Sequence, residues 1–66
     1  MRMRIDRIKL AAALKYRNIT QIDLASRSGL SRITVNTICN GKSCTEKSAE
    51  KIAEALEMPL TSITEN

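Results

Sequence analysis

Residues 20–42 read TQIDLASRSGLSRITVNTICNGK and carry the strongest structural signal in the chain. Two short amphipathic runs flank Gly29, the residue type that most readily adopts the left-handed conformation that ends a helix. Thr20 and Ser31 precede the two runs, where a hydroxyl can accept a hydrogen bond from the first turn of a helix. The pattern predicts a helix over 21–28, a tight glycine turn, and another helix that begins after Ser31 and ends at Asn-Gly-Lys.

Helical patterns also precede this segment. Apolar residues at helical spacing predict a first helix from about Ile5 to Arg17; they are Ile8, Leu10, Ala11, Ala13 and Leu14. The opening stretch MRMRI fits a short strand, a basic arm or a frayed helix start. We favour the frayed start, because chain ends are usually poorly ordered.

After the central segment, Thr45 can cap a fourth helix over about 46–56. A proline then opens a last short turn or helix over about 59–64, which can return Leu60 and Ile63 to the core. Together these elements predict an all-α fold, a compact five-helix bundle that forms a single domain over residues 1–66.

The composition limits both the core and the class of protein. The 66 residues include one Tyr and neither Phe nor Trp, so the core must be built from aliphatic side chains, which favours helices over strands. No apolar run is long enough to span a bilayer, and the chain opening lacks the apolar core of a signal peptide. The sequence therefore predicts a cytoplasmic protein.

Charge is distributed unevenly along the chain. Residues 1–42 carry nine basic and two acidic side chains, whereas residues 43–66 carry two basic and five acidic ones. A polyanion would therefore bind the first two-thirds of the chain and avoid the rest.

The two cysteines, Cys39 and Cys44, are candidate zinc ligands. The chain has no histidine and no second Cys pair, so a four-ligand zinc site cannot be completed. Two reduced thiols are the simplest interpretation, and no metal or cofactor is expected.

The stretch from Thr20 to Ile63 resembles the Cro/repressor class of helix-turn-helix DNA-binding domains, the lambda repressor-like or XRE type. It contains Thr-Gln-x-x-Leu-Ala, Gly-Leu-Ser, an apolar pair three apart, Asn-Gly-Lys and x-x-Ile-Ala-x-Ala-Leu at matching spacing, over about two-thirds of the chain. The resemblance implies a five-helix bundle in which the second and third helices form the motif and the third helix enters the DNA major groove.

The resemblance also implies that four outward residues of the third helix read DNA bases: Arg32, Ile33, Asn36 and Thr37. Arg32 can bond a guanine through two atoms or retreat to a phosphate, and Asn36 can bond an adenine or the backbone. Ile33 has no hydrogen-bonding capacity and would contact a thymine methyl group. Thr37 can add a hydroxyl or a methyl group.

Five further residues are predicted to meet DNA phosphates. Gln21 begins the second helix, which Thr20 caps, and Ser31 begins the third helix, which it caps with its own hydroxyl. At both helix starts, free N–H groups and the helix dipole favour an anion. The positions matching Asn40 and Lys42 commonly meet phosphate in the family.

Two positions depart from the family pattern. A glutamate that often precedes Asn-Gly-Lys, and the arginine with which it pairs, are replaced by Cys39 and Leu14, which predicts an apolar contact instead of an ion pair. The glycine that usually follows the fourth helix is Glu57, so the end of that helix has no glycine to form it.

These features predict a sequence-specific regulator of transcription, expected to be a repressor, that binds double-stranded DNA. A weak homodimer on a palindromic operator is expected, through Met58, Leu60 and the C-terminal turn or through MRMRI. No domain that senses a small molecule is expected. The alternative is an antitoxin-like or other protein-binding module that uses the acidic fourth helix or the opening segment. An enzyme is disfavoured, because the sequence has no histidine and no nucleotide-binding loop. RNA is disfavoured, because stacking aromatic residues are lacking.

Overall fold

Helices and one short strand pair organise the chain. The computed structural model describes residues 2–64, and its elements in chain order are β1 (Arg2–Arg4), α1 (Arg7–Arg17), α2 (Gln21–Ser28), α3 (Arg32–Cys39), β2 (Ser43–Thr45), α4 (Glu46–Ala55) and a 3₁₀ turn (Leu60–Ser62). The predicted bounds of α2 are confirmed. The all-α five-helix prediction is wrong in detail: the described residues form four α-helices and a two-stranded sheet, because 59–64 forms only a short 3₁₀ turn. No helix within 2–64 is long and apolar enough to cross a membrane.

Side-chain caps begin α2, α3 and α4 at the predicted residues. Thr20 Oγ1 accepts a hydrogen bond from the Asp23 N–H at 3.1 Å, and Asp23 Oδ2 accepts from the Thr20 N–H at 3.3 Å. Ser31 and Thr45 each accept from the backbone N–H three residues further on, at 3.1 Å. These bonds satisfy N–H groups of the first turn that have no partner within the helix.

The start of α1 differs from the prediction, because Asp6 caps it. Asp6 Oδ1 accepts from the N–H of Ile8 at 2.9 Å and from that of Lys9 at 3.1 Å, so the helix begins at Arg7 and not at Ile5. The Asp6 N–H donates to the carbonyl oxygen of Ile63 at 2.8 Å. The residue that starts α1 is therefore tied to the last turn of the fold.

Residues 2–4 of the segment MRMRI form a strand, so the prediction of a frayed helix start is wrong for them; Met1 lies outside the described residues. β1 pairs antiparallel with β2, with Arg2 opposite Thr45 and Arg4 opposite Ser43. Met3 packs against the core, and Ile5 is fully buried. The pairing partners lie about 40 residues further along the chain, which is why no local pattern could reveal them.

The core is aliphatic, as predicted: the four helices and β2 supply buried apolar side chains, and Met3 of β1 and Leu60 of the 3₁₀ turn pack against them half-buried. The buried apolar residues are Ile5, Leu10, Ala13, Leu24, Ala25, Val35, Ile38, Cys44, Ala49, Ile52, Ala53, Leu56 and Ile63. The predicted return of Ile63 is confirmed, with Leu60 half-buried beside it. Cys39 and Leu14, expected to form an apolar contact, are both half-buried against the core.

Two residues of the predicted apolar stripe of α1 face outward. Ile8 is 74% exposed and Ala11 is also exposed, whereas Leu10 and Ala13 are buried. Helical geometry places Ile8 almost opposite Leu10, so a helix packed on one side only cannot bury both. The first helix therefore carries a narrower buried stripe than the sequence predicted.

The end of α4 is formed without glycine. Glu57 adopts the left-handed conformation with φ of 57°, and its N–H donates to the Glu54 carbonyl at 3.0 Å. The Met58 N–H donates to the Ala53 carbonyl at 3.0 Å, which completes a Schellman motif. Arg17 Nη2 donates to the Glu57 carbonyl at 3.3 Å. The backbone turns as it would with glycine, at a conformational cost.

Replacing Glu57 with glycine is expected to raise the free energy of unfolding by about 0.5–1 kcal/mol. The left-handed conformation costs an ordinary residue roughly 1–2 kcal/mol, and the flexibility of glycine in the unfolded chain cancels about 0.5–1 kcal/mol of the gain. Urea unfolding would measure the change. Asn18→Gly is the matched control: Asn18 also has φ of 57° at a helix end, but asparagine tolerates this conformation and its gain should be smaller. Equal gains at both sites would contradict the explanation.

Candidate nucleic-acid interface

The segment from α2 to α3 forms a helix, a glycine turn and a second helix. Gly29 has φ of 78°, and its N–H donates to the Ala25 carbonyl at 3.0 Å. The Leu30 N–H donates to Ser28 Oγ at 3.3 Å, which fixes the turn leading to α3. Buried residues on both helices hold their inner sides against the core; they are Leu24, Ala25, Val35 and Ile38. The outer side of α3 is left to solvent.

All four residues predicted to read bases are exposed along this outer side of α3. Ile33 is 80% exposed, and Arg32, Asn36 and Thr37 are also exposed. At 100° per residue these positions occupy roughly 140° of the helix circumference. The structure therefore places them on one contiguous surface, as a helix entering a groove requires.

The hydroxyl of Thr37 has an assigned partner within the helix. Thr37 Oγ1 donates to the Ile33 carbonyl oxygen at 2.8 Å. The proton is thus engaged, and the side chain presents outward a methyl group and an oxygen that can accept a hydrogen bond. Thr37 can therefore contact a base through its methyl group, or accept a hydrogen bond at Oγ1.

The start of α2 presents backbone donors and the hydroxyl proton of Thr20. The Thr20 hydroxyl oxygen accepts from the Asp23 N–H and keeps its own proton, whereas the Thr20 N–H donates to the Asp23 carboxylate at the same turn. The N–H groups of Gln21 and Ile22, in the first turn, have no partner within the helix. Gln21 is exposed and adds its side-chain amide, so Thr20 and Gln21 both offer donors to a phosphate at this helix start.

The start of α3 contains a residue that the sequence analysis missed. Ser31 Oγ accepts from the Thr34 N–H and donates to Thr34 Oγ1 at 2.9 Å, so its hydroxyl is fully engaged. The Thr34 hydroxyl retains its proton and is the available donor of the pair. A Ser-x-x-Thr spacing at a helix start is the signal that could have identified Thr34. Ser31 therefore contributes to the predicted phosphate contact indirectly, by capping α3.

The end of α3 places the other two predicted phosphate residues in solvent. Gly41 has φ of 90°, and the Lys42 N–H donates to the Thr37 carbonyl at 3.3 Å. Asn40 and Lys42 are both exposed on either side of this turn. The predicted contact residues therefore lie at the start of α2, at the start of α3 and at the end of α3.

The cysteines do not form a reactive site. Cys44 is buried and Cys39 half-buried, and both are free thiols. Burial raises the pKa of Cys39, and burial raises that of Cys44 against a smaller opposing effect of the Arg2 charge. Both thiols are therefore protonated at neutral pH, and such thiols are weak nucleophiles. Within residues 2–64 no three side chains of His, Cys, Asp or Glu cluster as a metal site would require.

The fold and the exposed face of α3 define a helix-turn-helix domain of the DNA-binding class. The family model of the HTH_3 helix-turn-helix domain matches residues 10–63. The chain belongs to this family, the Cro/C1 or XRE type, as the sequence predicted. No curated protein matches the sequence.

Solved structures with a similar fold include enzymes of greater length. A hydroxyethylphosphonate dioxygenase with a tyrosine-to-phenylalanine substitution matches with a TM-score of 0.85 and 26% identity, over 97% of this chain and 14% of that one. Native PhpD with cadmium atoms matches with a TM-score of 0.82, 26% identity and the same coverage. A 2-hydroxyethylphosphonate dioxygenase with a glutamate-to-histidine substitution matches at 23% identity and a TM-score of 0.84, over 94% of this chain and 15% of that one. This chain thus spans about one-seventh of their length, and the likeness concerns the helix-turn-helix fold.

Proposed function

We propose that this chain is a sequence-specific transcriptional repressor that binds double-stranded DNA. The observation that carries the proposal is the outer face of α3, where an 80% exposed isoleucine lies among three polar residues on a helix-turn-helix scaffold. An apolar side chain at that place has a use in the major groove, where thymine methyl groups are the apolar feature. A cytoplasmic location and a non-enzymatic role are part of the same proposal.

In the proposed recognition mechanism, one set of surface residues positions the protein on the DNA and another set reads the base sequence. Backbone donors at the starts of α2 and α3, with Asn40 and Lys42, bind phosphates and fix the register of the protein on the duplex. Arg32 and Asn36 then offer hydrogen bonds to base edges, while Ile33 and the Thr37 methyl group offer apolar contact. Phosphate contacts supply affinity for any duplex, and the α3 face supplies the preference among sequences.

A homodimer on a palindromic operator is the second part of the proposal. One helix-turn-helix reads few base pairs, and two copies bind half-sites about 34 Å apart, one turn of DNA. An apolar groove lined by Ala12, Tyr16 and Met58 supports an interface near the predicted Met58 and Leu60. Tyr16 is 80% exposed at its edge, and burying that ring would favour association.

Selection of bound sites from a random DNA pool tests the proposal directly. We expect a two-fold symmetric site, and binding to that site should weaken steeply as salt rises, because neutralised phosphates release counterions. Sedimentation should show two protein chains on each selected duplex. An asymmetric site with one chain bound would contradict the dimer, and failure to enrich any sequence would contradict base-specific reading.

Binding to a protein partner is a second candidate function, favoured by apolar residues on the outer face of α1. Ile8 is 74% and Tyr16 80% exposed on that helix. A salt-insensitive association of the chain with a co-purifying protein, without selective DNA binding, would favour this function over DNA recognition.

A further inference from the structure

The outward face of β1 carries cations that the helix-turn-helix motif does not use. Arg2 and Arg4 are exposed and alternate with Met3, which packs against the core. Both arginines therefore project from the same face of the strand pair formed by β1 and β2. Arg7 follows at the start of α1 and is also exposed. We call Arg2, Arg4 and Arg7 the arginine ribbon.

Arg2 is held beside the predicted base-reading face of α3. It lines a surface groove that also contains Ile33 and Thr37. Its Nε donates to Ser43 Oγ at 3.3 Å and its Nη2 donates to the Ser43 carbonyl at 3.0 Å. Both acceptors are uncharged, and a guanidinium group has five N–H donors, so donors remain for an anion.

Arg4 and Arg7 lie near the opposite end of α3. They line a second groove together with Asn40 and Gly41. A Cβ atom built on Gly41 would lie 3.6 Å from Cδ of Arg7, so the Arg7 side chain passes close over the turn that ends α3. Asp6 lines the same groove, but its carboxylate already accepts two backbone N–H bonds at the start of α1. The ribbon thus follows α3 along one side, from its first turns to its end.

We propose that the arginine ribbon binds backbone phosphates of the DNA strand that borders the groove entered by α3. The inference rests on the proposed function, since it takes the insertion of α3 into the major groove as given. Two residues of a strand span roughly 7 Å, and one DNA strand carries a charge about every 3.4 Å along its axis. Arg2 and Arg4 can therefore bind separate phosphates of one strand, and the planar guanidinium group suits phosphate oxygens.

The double variant Arg2→Gln with Arg4→Gln tests the inference on a short duplex of mixed sequence. Here the slope means the steepness with which log Kobs falls as log salt rises. Each lost phosphate contact lowers this steepness by about 0.9, so we expect the double variant to lower it by about 1.8. A fourfold rise in salt would then weaken the wild type about twelvefold more than the variant. The variant should lose affinity for all sequences alike, since phosphates carry no sequence information.

The matched control is Lys47→Gln with Lys51→Gln, which removes the same charge from the exposed face of α4. We expect it to leave the slope nearly unchanged. Arg4→Gln alone keeps both Arg2 bonds to Ser43 and should lower the slope by about 0.9 even if the double variant is unstable. Replacing both arginines with lysine should restore most of the slope, because the charge is kept.

Two outcomes would overturn the inference in distinguishable ways. If the arginine variants keep the wild-type slope while Lys42→Ala lowers it, the protein binds DNA and the ribbon does not contact it. If the wild type shows no salt-dependent binding to any duplex, the proposed function itself fails and the inference falls with it.

Discussion

Replacing Ile5 with alanine is expected to lower the free energy of unfolding by about 2–5 kcal/mol. Ile5 is fully buried, and its backbone forms a bridge with Thr64 beside the Asp6 to Ile63 hydrogen bond. The substitution leaves a cavity at the junction of β1, α1 and the last turn. Because the core of a domain this small supplies only about 3–5 kcal/mol of stability, a large part of the population should be unfolded at 25 °C.

Ile8→Ala is the matched control, three residues further along the same chain segment. Ile8 is 74% exposed, so its truncation should change stability by no more than about 0.5 kcal/mol. Ile5→Val, expected to cost about 0.5–1.5 kcal/mol, keeps the comparison measurable if the alanine variant does not fold. Urea unfolding followed by circular dichroism would give all three values. Equal effects of Ile5→Ala and Ile8→Ala would mean that the opening segment is frayed, as the sequence suggested.

Replacing Ile33 or Arg32 with alanine is expected to change which bases are preferred, by about 1–3 kcal/mol for each lost base contact. Ile33 is 80% exposed, and its carbonyl still accepts from Thr37 in the variant, so the fold should be retained. Ile33→Ala should reduce the preference for thymine at one position of the selected site. Arg32→Ala should relax the preference at a different position. Titrations of the selected duplex and of its single-base variants would measure both changes.

Lys42→Ala provides the contrast within the same assay. Lys42 lies at the turn that ends α3 and is predicted to contact phosphate only, so its loss should weaken all duplexes about equally. The salt slope should also fall by about 0.9. If Lys42→Ala altered base preference while Ile33→Ala weakened every duplex alike, the division between positioning and reading residues would be wrong.

The helix-turn-helix itself could be predicted because its signals are local. Thr20 with Asp23, Gly29, and Ser31 each act within three or four residues of themselves, and the structure has α2 and α3 begin where these residues place them. The outward position of Ile33 could be predicted from the sequence for the same reason. Helical periodicity links a residue to its own helix, and the buried Val35 and Ile38 fix which side faces out.

Hydroxyl bonding at the candidate site was less accessible to sequence reasoning. The sequence allowed Ser31, Thr34 and Thr37 to donate or accept, and rotamer choice decides between them. In the structure Ser31 donates to Thr34 and Thr37 donates to the Ile33 carbonyl. Thr34 thereby becomes a donor that the sequence analysis had not considered.

By itself the sequence determined the helix-turn-helix, its caps, its aliphatic core and its family, since each depends on neighbours along one helix or on a spaced motif. Only the tertiary structure decided that residues 2–4 form a strand, that Ile5 is buried while Ile8 is exposed, and that the backbone turns at Glu57 without glycine. A three-residue strand has no stability of its own, because every hydrogen bond of its ladder comes from a partner about 40 residues away. The arginine ribbon exists through that pairing, which places Arg2 and Arg4 beside α3.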